Sequence, residues 1–143
     1  PLLYYGDEYG EPGGGDPDNR HFMRQGINLS AIEKSQLQRM TALLAARQGS
    51  RGLRRGDFLT VLLGEDVYAY ARLDRDGDPR QVALVVQNRL DTAQTAAVPM
   101  VPELGWKSGS RLRDLLGGPS YTTSGTLLNV TVPARSAIIL ALE

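Results

Sequence analysis

The spacing of hydrophobic and polar positions changes twice along this chain and divides it into three parts. Leu2–Tyr5 is a short continuous apolar run ended by Gly6, the pattern of a strand buried on both faces. From Gly6 to Asn28 the pattern disappears. Gly10, Pro12, Gly13, Gly14, Gly15 and Pro17 exclude a regular element over most of that stretch. A long irregular loop of this kind inside a compact domain is usually functional or mobile.

Helical spacing follows. Ser30 stands three positions before Glu33, which predicts a capping box: the hydroxyl accepts from an orphan amide and the carboxylate returns the bond. Leu29, just before the cap, is placed to staple onto the first turn. Leu37, Met40 and Leu44 recur on one face, Ile32 and Leu43 widen it, and Gly49 is the expected stop. Arg47, Arg51, Arg54 and Arg55 gather at this end and read as cations in a solvated turn near a helix C-terminus.

After Gly56 the period shortens to two. Strands are predicted at Phe58–Leu63, Val67–Leu73, Gln81–Asn88, Gln94–Val98, Arg111–Leu115, Leu127–Val132 and Ala137–Leu142. Gly64-Glu65-Asp66 reads as a tight hairpin and Asp76-Gly77-Asp78-Pro79 as a further turn. Leu128, Val130 and Val132 alternate with Asn129 and Thr131, so one face points inward. Short strands at this spacing indicate an antiparallel β-sandwich from about residue 57. There is no internal repeat and no low-complexity linker.

Composition narrows the classes of function. The 143 residues make one domain of ordinary size, with room for an appendage. Lysine plus arginine equals aspartate plus glutamate at 16 each, so no net field draws the chain to nucleic acid or to an anionic membrane. No apolar run approaches the length of a membrane span. The absence of cysteine removes disulfides and thiol chemistry together, and the single histidine, His21, excludes a multi-histidine metal centre. No cofactor is implied. A first residue other than methionine leads us to expect that the chain begins inside a longer reading frame.

The loop carries the candidate chemistry. A phosphate-binding loop would need Gly-Lys-Ser/Thr opening a helix, whereas Gly13-Gly14-Gly15 leads into Asp16-Pro17. A dinucleotide fingerprint fails because no helix follows directly. A calcium loop counted from Asp16 puts Arg20 at the third ligand position and His21 at the glycine. Asp7, Glu8, Glu11, Asp16 and Asp18 do lie close to Arg20, with Tyr4, Tyr5 and Tyr9 nearby. Carboxylates and a guanidinium fork hydrogen-bond hydroxyls, and aromatic faces stack on sugar rings. The residues alone admit two readings: a carbohydrate site, or a surface loop held by its own Asp–Arg pair. On the sandwich, Trp106 with Tyr121 reads either as a sugar-stacking platform or as packing at a sheet edge. Tyr68 and Tyr70 share one strand face.

The stretch "PLLYYGDEYGEPGGGDPDNRHFM" resembles the end of the catalytic barrel in the α-amylase family, glycoside hydrolase family 13. Members carry Pro-x-x-Tyr-Tyr-Gly-Asp-Glu on the eighth barrel strand and, in many cases, a loop with Asp-Pro-x-x-Arg-x-x-Met. "ALLAARQGSRGLRRGDF" is similar to the end of the final barrel helix. "VYAYAR", "ALVVQN", "LRDLLGG" and "LLNVTVPARSAIIL" are similar to the β-sandwich that follows it. The resemblance implies a mainly β chain: a Greek-key antiparallel sandwich over residues 57–143, preceded by a strand-loop-helix remnant of a (β/α)₈ barrel over residues 1–56.

A barrel of this type builds its site from the loops after its strands, and Gly6 to Met23 would be the last of them. In the family, the nucleophilic aspartate, the acid/base glutamate and a third aspartate come from earlier strands. Retaining glycoside hydrolysis needs two carboxylates about 5 Å apart across the bond. The resemblance supplies neither here, so no catalytic residue is expected in the chain. The expected partners are an α-glucan or maltooligosaccharide and the missing N-terminal barrel portion.

Carried over residue by residue, Arg20 matches an arginine that helps hold a glucose at the pocket in members recognising a chain end. Asp16 would orient Arg20 or bind a neighbouring sugar. Asp7 and Glu8 would support the barrel rim. One departure stands out: Gln25 occupies the place, two residues after the methionine, where such relatives often carry tryptophan. A free-standing carbohydrate-binding module, or a purely structural domain, is the competing reading.

Overall fold

A computed structural model describes residues 2–143. Its contacts divide into two compact units, Pro1–Ala45 and Ala46–Glu143. The first holds the irregular loop, a single 3-10 turn at Gly26–Asn28, and most of helix α1 (Ala31–Gly49). The capping box forms as read: the Glu33 amide donates to Ser30 Oγ at 3.3 Å and the Ser30 amide to Glu33 Oε2 at 2.7 Å. Helix α1 ends at Gly49, and Ser50 N-caps a short second helix, α2 (Arg51–Arg55), by accepting from the Leu53 amide.

The second unit is an antiparallel sandwich. Its strands are β1 (Asp57–Leu63), β2 (Val67–Leu73), β3 (Ala83–Asn88), β4 (Gln94–Pro99), β5 (Arg111–Asp114), β6 (Tyr121–Thr122), β7 (Leu127–Val132) and β8 (Ser136–Leu142). Six of them form one sheet in the order β1-β2-β3-β8-β5-β6, and β4 pairs with β7 in the other. Strand β8 returns from the far end of the chain to lie between β3 and β5, so the sheet closes through a crossover rather than a simple meander.

Alternation explains which side chains meet. Along β7, Leu128, Val130 and Val132 are buried, while Leu127, Asn129 and Thr131 face solvent. They pack with Val98 of β4 against Leu84 and Val86 of β3, Leu112 of β5, and Ile138 and Leu140 of β8. Strand β3 reads as continuously apolar because both its faces are covered. Ala83 and Val85, on the outer side, pack with Ile139, with Ala46 in the last turns of α1, and with Leu53 of α2. Close backbone approach fixes α2 there. A Cβ at Gly52 would stand 2.2 Å from the Gln81 carbonyl oxygen, so only glycine fits.

Three details differ from the sequence reading. Leu2–Tyr5 forms no strand: no partner strand pairs with it among the described residues, Leu2 is 98% exposed, and the backbone turns at once through the Asp7 amide to the Tyr4 carbonyl. An apolar run becomes a strand only when neighbouring strands supply its ladder. Gln81 belongs to a 3-10 turn, Pro79–Gln81, capped by Asp78. Tyr121–Thr122 adds a two-residue strand that pairs with β5.

Candidate functional site

The loop between Gly6 and Asn28 is built on short internal bonds. Gly6 lies at φ 96°, and its carbonyl accepts from both Tyr9 and Glu11. The two acids of the strand motif turn back on this bend: Asp7 accepts from the Tyr4 amide at 3.1 Å and Glu8 from the Gly6 amide at 2.9 Å. Tyr9 and Leu29 are the buried large apolar side chains of the first unit among its described residues. The Tyr9 hydroxyl accepts from the Arg24 amide at 3.1 Å.

Arg24 is the electrostatic centre of the loop. Its Nε and Nη2 donate to Glu11 Oε2 at 2.9 and 2.6 Å, and Nη2 also pairs with Glu33 Oε1. Its Nη1 reaches the Asn28 carbonyl at 3.3 Å, and the guanidinium lies 5.7 Å from the Tyr9 ring centre. Because Glu33 also serves the capping box, one carboxylate joins loop closure to helix initiation. The Arg24 guanidinium, and then the Ser30 amide, hold the Glu33 carboxyl down at about 2. Arg24 is likewise the first cause of the depressed Glu11.

His21 sits between two acids. Nδ1 is 3.2 Å from Glu11 Oε1 and Nε2 is 3.2 Å from Asp18 Oδ1. These contacts, Asp18 first, raise its pKa above the ordinary histidine value. The imidazole therefore has two defined partners. Tyr4, Asp7, Glu11, Asn19 and His21 line a cavity of about 250 Å³.

The two residues carried over from the resemblance are brought together. Arg20 Nε lies 2.9 Å from Asp16 Oδ1, and both side chains remain about two-thirds exposed, at 69% and 63%. A guanidinium has five N–H donors and a carboxylate two acceptor oxygens, so this one bond uses only part of the capacity of either group. The bridge through Glu11, His21 and Arg24 escaped the sequence reading because its ties from Glu11 to His21, from Glu11 to Arg24 and from Arg24 to Glu33 span 9 to 13 residues, with no periodic signal linking them.

On the sandwich, the Trp106 indole N–H donates to the Pro79 carbonyl at 3.0 Å while its ring packs against Leu104 and Val82. Tyr121 donates to the Thr131 carbonyl at 3.1 Å. Tyr70 stacks on Phe58 with centroids 5.0 Å apart and lies 5.7 Å from Tyr68. Three of the arginines gathered at the end of α1 and in α2, Arg47, Arg51 and Arg54, are bound rather than merely solvated. Arg51 forks onto the buried Asp74 with both distances at 2.7 Å, and Arg47 caps the Leu53 carbonyl. Among the described residues, no group of three or more histidine, cysteine, aspartate or glutamate side chains could hold a metal ion, and no helix is long and apolar enough to cross a membrane.

No family model matches the chain. Individual relatives do. It is 32% identical over 150 residues to an amylopullulanase of Thermoanaerobacter thermohydrosulfuricus, with 98% of the chain aligned, and 28% identical over its full length to a cyclomaltodextrinase of Geobacillus thermopakistaniensis. The fold agrees. The acarbose-soaked debranching enzyme of Nostoc punctiforme superposes on 97% of the chain with a TM-score of 0.67 and 26% identity. The chain belongs to the α-amylase family. It spans 10% and 23% of the two curated relatives' lengths and 25% of the debranching enzyme's chain. The strands of the sandwich run from Asp57 to Leu142, and the loop with Asp16 and Arg20 precedes α1 in the chain.

Proposed function

We propose that the chain is the C-terminal portion of a retaining α-amylase-family glycoside hydrolase acting on α-glucosidic bonds of starch or maltodextrin-like substrates. In this reading residues 1–56 are the end of the catalytic barrel and residues 57–143 its sandwich domain. The nucleophile and the acid/base carboxylate lie on polypeptide outside these residues, so the chain by itself does not hydrolyse sugar. Its contribution is the loop in which Asp16 holds Arg20 by one oxygen while both side chains stay about two-thirds exposed.

The observation that carries the reading is an asymmetry of coverage. Nearly all of the chain aligns with an amylopullulanase and a cyclomaltodextrinase, yet it accounts for a small share of each. An acarbose-soaked relative supports an oligosaccharide as the bound partner. Asp7, Glu8, Glu11 and Glu33 are engaged by backbone amides or by Arg24, which fits a structural rather than a catalytic role for these four carboxylates.

The test compares the 143-residue chain with the same chain joined to the polypeptide encoded ahead of it. Hydrolysis of maltotriose, pullulan or soluble starch by the joined protein alone is the expected result. Turnover by the isolated chain, or none by the joined protein, overturns the reading.

A further inference from the structure

We infer that His21 is a positioning residue for Asp16 and Arg20, tying the segment that carries them to the Glu11–Arg24–Glu33 clamp through a bridge that only the protonated imidazole completes. This rests on the reading that Asp16 and Arg20 contact sugar.

Residues 16–20 are held locally by the Asp18 amide on the Gly15 carbonyl, the Arg20 amide on the Pro17 carbonyl, and the Asp16–Arg20 pair itself. None of these bonds fixes the segment relative to the rest of the loop. The described side-chain bond that does so is Asp18 to His21, and the other ring nitrogen of His21 reaches Glu11. Glu11 is in turn gripped by Arg24, which also binds Glu33 at the start of α1. A continuous chain of charges therefore runs from the helix N-terminus to the residue two positions before Arg20.

The bridge depends on protonation. The imidazolium has two N–H donors, one for each carboxylate; the neutral ring has one, and its other nitrogen turns a lone pair toward the second acid. Glu11 and Asp18 face the ring directly, Arg24 stands behind Glu11, and Tyr4, Tyr5 and Asp7 line the same cavity. The two contacting acids favour the charged form, in line with the upward displacement of the His21 pKa. The bridge is complete below the ordinary histidine pKa and is lost as pH rises through the raised one.

His21 is the single histidine of the chain, so its ring resonances are unambiguous in an NMR titration of the 143-residue protein. The Arg20 Nε–H resonance is expected to move with the same midpoint as His21, above 6.5. His21→Gln should remove that movement, and Asp18→Asn should lower both midpoints together. An Arg20 signal that ignores the His21 titration, or that titrates unchanged in His21→Gln, overturns the inference.

A second measurement on the joined enzyme separates the inference from the reading beneath it. Its KM for maltotriose should rise about fivefold through the His21 midpoint with kcat unchanged, the scale of one lost hydrogen bond, and His21→Gln should abolish that rise. If Arg20 follows His21 but Arg20→Ala leaves KM untouched, the positional coupling stands and the sugar contact falls.

Discussion

Arg24 holds Glu11 with two donors, Nε and Nη2, that converge on the same oxygen at 2.9 and 2.6 Å across thirteen residues of chain. A loop rich in glycine and proline has little to fix its shape except such long-range polar ties, because it buries few apolar side chains. Arg24→Met keeps much of the length of the side chain, removes the charge, and leaves Glu11 and Glu33 without their shared cation. Amide exchange across residues 9–24 should accelerate roughly tenfold in this variant, the scale of one charge-assisted hydrogen bond. Arg24→Lys should recover only part of the protection, since a point charge cannot fork between two carboxylates.

Glu33 makes the same clamp sensitive to acid. Its carboxyl is held at about 2 in the fold against an ordinary value of 4.5, so its contribution is present above 4.5 and is lost as pH falls toward 2. The Ser30 amide, which donates to Glu33 Oε2 at 2.7 Å, reports that loss directly. Its NMR shift should titrate with a midpoint near 2. Glu33→Gln preserves an acceptor for the capping box while removing the charge, and should flatten the titration without melting the start of α1.

In the sandwich, Asn88 joins the two sheets. Its side-chain amide donates to the Val132 carbonyl at 3.2 Å, the Thr92 carbonyl at 2.8 Å and the Pro133 carbonyl at 3.0 Å, and its oxygen accepts from the Leu90 amide at 2.9 Å. The residue is buried at 4% exposure. Asn88→Ala strands several backbone groups at once and should lower unfolding stability by about 2–3 kcal/mol in urea titrations. A loss under about 0.5 kcal/mol, the range of an ordinary surface substitution, would show that water replaces these bonds without cost.

Sandwich and helix were legible because each rests on a local period. Leu128, Val130 and Val132 announce an inward face two residues at a time, and Ser30 with Glu33 announces a helix start within one turn. What was misread or missed depends on partners far along the chain. Leu2–Tyr5 has the composition of a buried strand but no ladder beside it, and Tyr121–Thr122 is too short to show a period. The site divides the same way. The pairing of Asp16 with Arg20 was open to sequence as an i,i+4 charge pair, whereas the bridge through Glu11, His21 and Arg24 follows from the path of an irregular loop.

Arg20 gives the most direct functional prediction. Its pair with Asp16 is exposed, so Arg20→Ala should leave the melting temperature of the chain unchanged within error. In the joined enzyme the same substitution should raise the KM for maltotriose by roughly tenfold or more, since a charge-assisted bond to a sugar hydroxyl disappears. An unchanged KM would remove Arg20 from the substrate site.

Trp106 distinguishes an accessory binding surface from a packing role. Its N–H is already bonded to the Pro79 carbonyl, and the side chain packs against two core clusters, one with Leu104 and Val82 and the other the central sandwich core. A ring presented to sugar would keep one face free, whereas this one is half-buried and tethered. Trp106→Ala should therefore cost about 2–3 kcal/mol of stability, somewhat less than a fully buried tryptophan, with maltooligosaccharide binding by the joined enzyme unaltered in a calorimetric titration. Binding that vanishes in this variant while the fold persists, judged by an unchanged far-ultraviolet circular dichroism spectrum, would move the recognition surface from the loop to the sandwich.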